Sequence, residues 1–468
     1  RGLGDVYKRQ TAISTNGAQV YGENATISGN ITFTTTNNDI TFSGTVNSVS
    51  DTKTLTIVAG SGDTTFSGTV GGSEALGNTT IGTAGLTAGA IKVQGTLAIT
   101  NSAASEIDGV ISNGDSAGII TKAGAGNLTL SGDNTYTGAT TVNAGTLIIS
   151  HADSLGGTSG ATTVASGAAL SISGGLTIAE PITISGTGVS SGGAIVFTGG
   201  DNTYSGAITL GATSTIVSTG GAQTISGTVN AGNGLTITSN SDLTISGVVG
   251  GSTALSAYAV TTTGSGTQTF SANVTTTGNQ TYTAAGGITS SGARTFTSNS
   301  GTVNFASALA GNNNNLTVSG AADIDGAVTN IAVLSITGAS NISANITSSG
   351  TQTYGGAVTL SANTTLTTSS DIVTFSNTVN SADSTNRNLT VTTGGNSVHI
   401  NFDGIVGGSQ GLGAIALTGV LDLNAAIADA NSLTVSGSTS LDADVTTSGT
   451  QTYTCLLYTS DAADDGLS

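Results

Sequence analysis

Leu55-Thr56-Ile57, Leu128-Thr129-Leu130, Leu176-Thr177-Ile178, Ile182-Thr183-Ile184, Leu235-Thr236-Ile237, Leu243-Thr244-Ile245, Leu316-Thr317-Val318, Leu389-Thr390-Val391 and Leu433-Thr434-Val435 repeat one pattern, apolar–Thr–apolar, along the chain. Each triplet alternates in, out, in at the two-residue period of a strand with one buried face. Gly, Asn or Asp follows nearly every one within a few residues, where a chain turns cheaply. Short strands with turns at this density predict an all-β chain, a right-handed parallel β-helix with little or no helix.

The repetition has two scales. Phe42-Ser43-Gly44-Thr45-Val46 returns as Phe66-Ser67-Gly68-Thr69-Val70, Ile225-Ser226-Gly227 as Ile245-Ser246-Gly247, and Gly126-Asn127-Leu128 as Gly145-Thr146-Leu147. The returns come at intervals of about 19–24 residues, room for three short strands and three turns. One such coil cannot bury its own apolar face, but a stack encloses a core. The chain then predicts about 20 rungs and a rod on the order of 100 Å at a strand spacing of ~4.8 Å. On the longer scale Gln19–Gly77 aligns with Gln352–Gly413. Val46-Asn47-Ser48 matches Val379-Asn380-Ser381, and Val70-Gly71-Gly72-Ser73 matches Val406-Gly407-Gly408-Ser409, with a third copy at Val249-Gly250-Gly251-Ser252. Thr351-Gln352-Thr353-Tyr354 returns at Thr450-Gln451-Thr452-Tyr453.

Both ends read as foreign to the repeat. Asp5–Gln10 and Cys455–Ser460 can be encoded by strings that are reverse complements of one another, as translated sequencing-adapter ends would be. We therefore expect residues 1–10 and 455–468 to be non-native tails, and residues 11–454 to be one continuous solenoid fragment of a longer bacterial reading frame. Without the tails the chain has no cysteine, and five basic against 22 acidic residues remain of a full chain at −18. So acidic a chain is poorly suited to nucleic acid, whose phosphates call for clustered Lys and Arg. No apolar run approaches the roughly 18 residues that span a bilayer as a helix. Gly and Ser abound, yet a single proline, Pro181, and abundant Val, Ile and Thr argue for ladders rather than disorder.

The stretch Ile119–Ser150 carries a family pattern: Asn127-Leu128-Thr129-Leu130-Ser131-Gly132, then Asn134-Thr135-Tyr136-Thr137-Gly138, then Gly145-Thr146-Leu147, with a weaker copy over Asp201–Leu210. It resembles the autotransporter-associated β-strand repeat, and the rest of the chain is generally similar to filamentous-haemagglutinin-like adhesins. The resemblance implies a β-helical passenger, exported through an outer-membrane translocator barrel and displayed on or shed from the bacterial surface. It implies adhesion to host or environmental surface glycans or proteins, and no catalysis. Two other classes stand beside it: a fragment of a β-helical carbohydrate-active enzyme, and a purely structural stalk for a binding domain outside the fragment.

Residues with chemistry to offer are sparse. Gly407-Gly408-Ser409-Gln410-Gly411 fits G-x-S-x-G with His399 and Asp403 nearby, but Gly71-Gly72-Ser73-Glu74-Ala75 and Gly250-Gly251-Ser252-Thr253-Ala254 occupy the same place in their blocks, which marks a structural repeat. Gly188-Val189-Ser190-Ser191-Gly192 has no histidine near it. His151 and His399 are too few for a ligand set unaided, and each reads as a surface or turn residue. Asp323 with Asp325, and Asp442 with Asp444, lack the further acid that closes a calcium loop. Lys53, Lys92, Lys122, Arg294 and Arg387 stand beside no acidic cluster, as a polysaccharide lyase would require. Outward Thr ranks raise an ice-binding face, which the drift in coil length argues against. The sequence thus predicts no catalytic residue, no metal and no cofactor, and leaves the ligand open.

Overall fold

Strands form where the triplets lie, and parallel pairing joins each to the coil before and after it. A computed structural model describes residues 10–50, 53–395 and 397–454, together with the backbone of 457–459. Asp5–Arg9, Cys455 and Asp461–Asp465, on which the reading of the tails rests, lie outside the described residues; Leu457–Thr459 pairs in parallel with Thr439–Leu441. The chain is a parallel β-solenoid of about 21 turns. Among the described residues the one helical element is a single 3-10 turn, Val189–Ser191.

The chain divides into two compact units, Arg1–Ser239 and Asn240–Ser468. In the first, one turn runs through the strands Thr79–Thr83, Leu86–Ala88 and Ile91–Val93, and the next through Thr96–Asn101, Ser105–Ile107 and Ile111–Asn113. Each strand lies on its counterpart one turn away, as Ile81 on Ile99, Thr87 on Glu106 and Lys92 on Ser112. The three sides enclose an apolar core. Phe33, Ile57, Ile81 and Ile99 stand in one inward column, and beside it Thr32, Thr56 and Thr80 form an outward one. Of the eighteen apolar positions in the nine triplets, all are buried except Leu176. Leu176 comes out of a turn at Gly174 and Gly175, both at positive φ, and the strand starts only at Thr177.

The second unit repeats the scheme. The strands Gln352–Tyr354, Val373–Phe375 and His399–Phe402 stack in register, and the rings of Tyr354, Phe375 and Phe402 lie face to face at 5.2 and 4.9 Å. The duplicated block of the first unit makes the same stack from Tyr21, Phe42 and Phe66, at 4.8 and 5.2 Å. The two long-scale copies are therefore the same piece of structure. The short returns also hold: Phe42 pairs with Phe66 and Leu128 with Leu147.

Coil length varies more widely than the short returns predict. The step from Thr79 to its partner Leu97 is shorter than any of those returns, and the step from Val373 to Ile400 is longer. Most of the variation falls in turns, and where it falls within a strand, as between Val328 and Ile331, a shift in pairing absorbs it and the register resumes. Drift in coil length therefore does not itself break the outward Thr ranks, which differ from place to place. The outward column next to Thr32, Thr56 and Thr80 runs Thr34, Val58, Gly82, Thr100 and Ala123, a mixed row that offers no second rank of hydroxyls.

Two side-chain devices tie successive turns together. In the first, an Asn or Asp at a corner accepts, through Oδ1, a hydrogen bond from a backbone N–H one turn ahead: Asn24 from Thr45, Asp63 from Gly85, Asn78 from Thr96 and Asn345 from Thr365. In the second, the Gln-x-Tyr marker forms a cassette. Gln352 Oε1 accepts the Tyr354 hydroxyl at 2.9 Å, while Gln352 Nε2 donates to Ser348 Oγ and to the Thr367 carbonyl of the next turn. Gln280 and Tyr282 repeat it with Thr276 and Thr297. The cassette bonds pair polar groups that burial would otherwise leave unsatisfied, at a cost of about 1–3 kcal/mol each, whereas the corner bonds are exposed.

Candidate functional site

The stretch singled out by its resemblance begins with the strands Ile119–Ala123 and Asn127–Leu130 and ends with Thr140–Val142 and Gly145–Ile149. Its third side is not a strand. Ser131–Ala139 crosses it as an extended turn, and Tyr136 closes that side of the core with no exposed surface. Its hydroxyl shares a hydrogen bond with Thr140 Oγ1 at 2.7 Å. Asn134 is buried between the turns on either side: Oδ1 accepts from Ile111 N at 2.7 Å, and Nδ2 donates to the Ser154 carbonyl at 2.7 Å. Ser154 Oγ in turn donates to the Leu130 carbonyl. Asn134 and Tyr136 thus form a buried clamp across three turns. The weaker copy repeats it in part: Asn202 Oδ1 accepts from Leu176 N, and Tyr204 is buried with its hydroxyl donating to the Glu180 carbonyl.

Lys122 occupies an inward position, between Ile99 and Val142 in a column otherwise filled by apolar side chains. It is fully buried, and its Nζ donates to the carbonyls of Ala123, Gly124 and Ala144 at 2.9, 2.9 and 3.0 Å. Those carbonyls satisfy all three ammonium donors, while burial pushes the group down to about 8. The fit depends on Gly145, at φ 67°, where a Cβ would lie 2.5 Å from the Gly126 carbonyl and 2.9 Å from Lys122 Nζ. Alternation alone places Lys122 inward. A lone Lys in a strand reads as a surface cation, and the only hint of its role is the Gly-rich corner that follows it. Glu180 is a second buried ionisable group, 3% exposed, with Oε2 unpaired among the described residues. Burial raises its carboxyl to about 7. Burial, and the charge of Glu180, also push the Tyr204 hydroxyl upward.

The other residues weighed on the sequence are scattered. Ser409 does not meet His399. The Ser409 backbone N–H donates to Asn380 Oδ1, as Ser73 N–H donates to Asn47 Oδ1 in the duplicated block. Gly71, Gly250 and Gly407 share a φ of 69–72°, so the motif is one turn made three times. His399 pairs with Asp422 through Nδ1, and Asp403 accepts a hydrogen bond from Asn424. Ser190 lies in the 3-10 turn at φ 49°. Asp323 and Asp325 are both held by the Asn304 amide, and further by Asn341 and Ser343; Asp442 and Asp444 are exposed. Arg387 pairs with Asp383 at 3.2 Å, and Arg294 donates to the Phe270 and Ala293 carbonyls. His151 has company that the sequence reading missed. Asp133 and Asp153 bring ligand atoms within 4.8 Å of it and of each other, and the separation of the two acids by one coil was the available signal. His151 Nδ1 already accepts the Asp153 N–H, however, and both acids are exposed.

The clamp at Asn134 and Tyr136, the caged Lys122 and Gly145 all fall within one recognised segment. Residues 120–149 match the family model described as passenger-associated-transport-repeat. The expected repeat is therefore present, at the expected place, and it is consistent with an autotransporter passenger. No curated protein and no solved structure matches the chain. Among the described residues, no helix is long and apolar enough to cross a membrane.

Proposed function

We propose that the chain is part of a secreted, surface-displayed bacterial passenger whose solenoid serves a structural and adhesive role. The carrying observation is the transport repeat at 120–149, set into the solenoid as a buried, cross-bonded turn rather than as an appended loop. A passenger exported unfolded gains from turns that close on their own side chains as they emerge, because each finished turn templates the next. On this reading the partner in export is an outer-membrane translocator barrel, the destination is the cell surface or medium, and the chain has no catalytic role. The scattering of Ser409, His399 and Asp403 supports that last point. The test is to place residues 11–454 between a secretion signal and an outer-membrane barrel in a Gram-negative host, then to probe intact cells with protease. Cleavage of the passenger on intact cells is expected. Protection until the outer membrane is breached, with a control passenger exposed, would refute the proposal.

A further inference from the structure

We propose that a groove in the second unit binds a neutral, unbranched polysaccharide; this rests on the adhesive reading above and names its ligand class and site. The groove has a volume of about 440 Å³ and runs over the strands Leu309–Ile324, Val328–Ile336 and Ile346–Ser348 to Ser369. It follows one corner of the solenoid through successive turns, since Val328 pairs with Ile346 and Ile346 with Leu366. Apart from Ile331 its lining is polar, Asn312, Asn313 and Asn330 with Thr347, Ser348, Ser349 and Ser369.

Three features set the chemistry. No lining residue is ionisable, so nothing there neutralises a charged ligand, and a chain at −18 repels polyanions. Carboxamides and hydroxyls both donate and accept, which is what vicinal sugar hydroxyls require. The amide of Asn330 and the hydroxyls of Thr347 and Ser369 make no hydrogen bond within the described protein, whereas Asn312 is tied to the Ser290 carbonyl and Asn313 to Ser349. Asn330 adjoins Thr347 on the next turn, across the break between Val328 and Ile331, and Ser369 follows Thr368, the partner of Ser348, so the free groups step across three turns and along the corner. The step between turns, ~4.8 Å, is comparable with the advance of one sugar ring along an extended glycan. Local backbone is also held in an unusual state. Asn312, Asn313 and Asn330, at φ 51°, 60° and 53°, are three of the seven described non-glycine residues with positive φ. The strand ladder is interrupted at the same corner, between Ala310 and Asn314 and between Val328 and Ile331. Backbone held this way at one place presents side chains that a regular corner would not.

The experiment titrates the purified chain by calorimetry with linear hexasaccharides of β-1,4-glucose, β-1,4-mannose and α-1,4-glucose, and with hexagalacturonate as the anionic control. At least one neutral hexasaccharide should bind, at least ten-fold more tightly than its disaccharide and than hexagalacturonate. Asn330→Gly, which keeps the left-handed backbone, and Thr347→Val, which keeps the shape, should each weaken binding several-fold, and together ten-fold or more, with thermal unfolding unchanged. No binding by any neutral glycan, equal binding of the galacturonate, or full binding by the double variant would overturn the proposal. Surface display without glycan binding would sink the groove alone. Glycan binding without display would sink the export reading alone.

Discussion

Leu130 and Thr129 are neighbours in one strand, and the same substitution at each should have very different consequences. Leu130 has no exposed surface and stands in the inward column between Ile107 and Ile149. Leu130→Asp removes a buried side chain, a loss of about 2–5 kcal/mol in well-packed cores. It also introduces a carboxyl without a partner, since the three donors of Lys122 are already taken by carbonyls. An unpaired buried polar group adds roughly 1–3 kcal/mol by mutational measure. Ionised or protonated, Asp at this position should cost about 4 kcal/mol or more. Thr129 faces outward beside Glu106. Asp there meets a like charge directly across the ladder, which costs no more than about 1 kcal/mol, and Thr129→Lys should remove even that. Because turns contact only their neighbours, the damage at Leu130 should be local. Hydrogen exchange is therefore the informative assay, with accelerated exchange in Ser105–Ile107 and Gly145–Ile149 for Leu130→Asp alone. Equal exchange in the two Asp variants would refute the assigned facing.

Further outcomes follow from the same contacts. Glu180 has a folded value raised from 4.5 to about 7, so the folded protein holds its proton more tightly. Stability is full below about pH 4.5 and is lost as pH rises through 7, by on the order of 3 kcal/mol. Lys122, lowered from 10.5 to about 8, acts in the opposite sense: its burden lifts as pH rises from 8 toward 10.5. Denaturation midpoints should therefore dip near pH 7–8, with the acid-side fall missing in Glu180→Gln and the alkaline rise missing in Lys122→Met. Gly407→Ala puts a Cβ 2.0 Å from the Asp429 carbonyl at φ 71° and should destabilise by more than about 1 kcal/mol, whereas Ser409→Ala should leave thermal unfolding unchanged. Asn380→Ala deprives the Ser409 N–H of its acceptor and should cost about 1 kcal/mol in a denaturant titration.

The architecture was legible because its signal is periodic. Every triplet except Leu176-Thr177-Ile178 carried its own facing, and the blocks at Gln19–Gly77 and Gln352–Gly413 announced equivalent structure that the Tyr-Phe-Phe stacks make concrete. What escaped was contact between turns. Asn24, Asn78 and Asn345 are of a residue type that suits any turn, yet each bonds to the turn ahead, and a sequence shows corner composition without showing which N–H lies above. Lys122 and Glu180 escaped for a related reason: alternation puts them inward, but residue type argues against burial, and the carbonyl cage that accommodates Lys122 is assembled from backbone of Ala123, Gly124 and Ala144. The groove at Asn330 was invisible because it is made by breaks in the pattern.

Export is the central claim, and it is tested most directly by comparing two pairs of substitutions, each of which removes an asparagine bonded to a neighbouring turn and a buried tyrosine. Asn134→Ala with Tyr136→Ala opens the transport repeat; Asn345→Ala with Tyr354→Ala breaks a bond between turns and an aromatic stack in the second unit. Display of each on intact cells, scored by protease cleavage and set against the stability of the purified variants, separates export from folding. The account predicts a several-fold lower display for the transport-repeat pair at matched loss of stability. Equal display of the two pairs would contradict it.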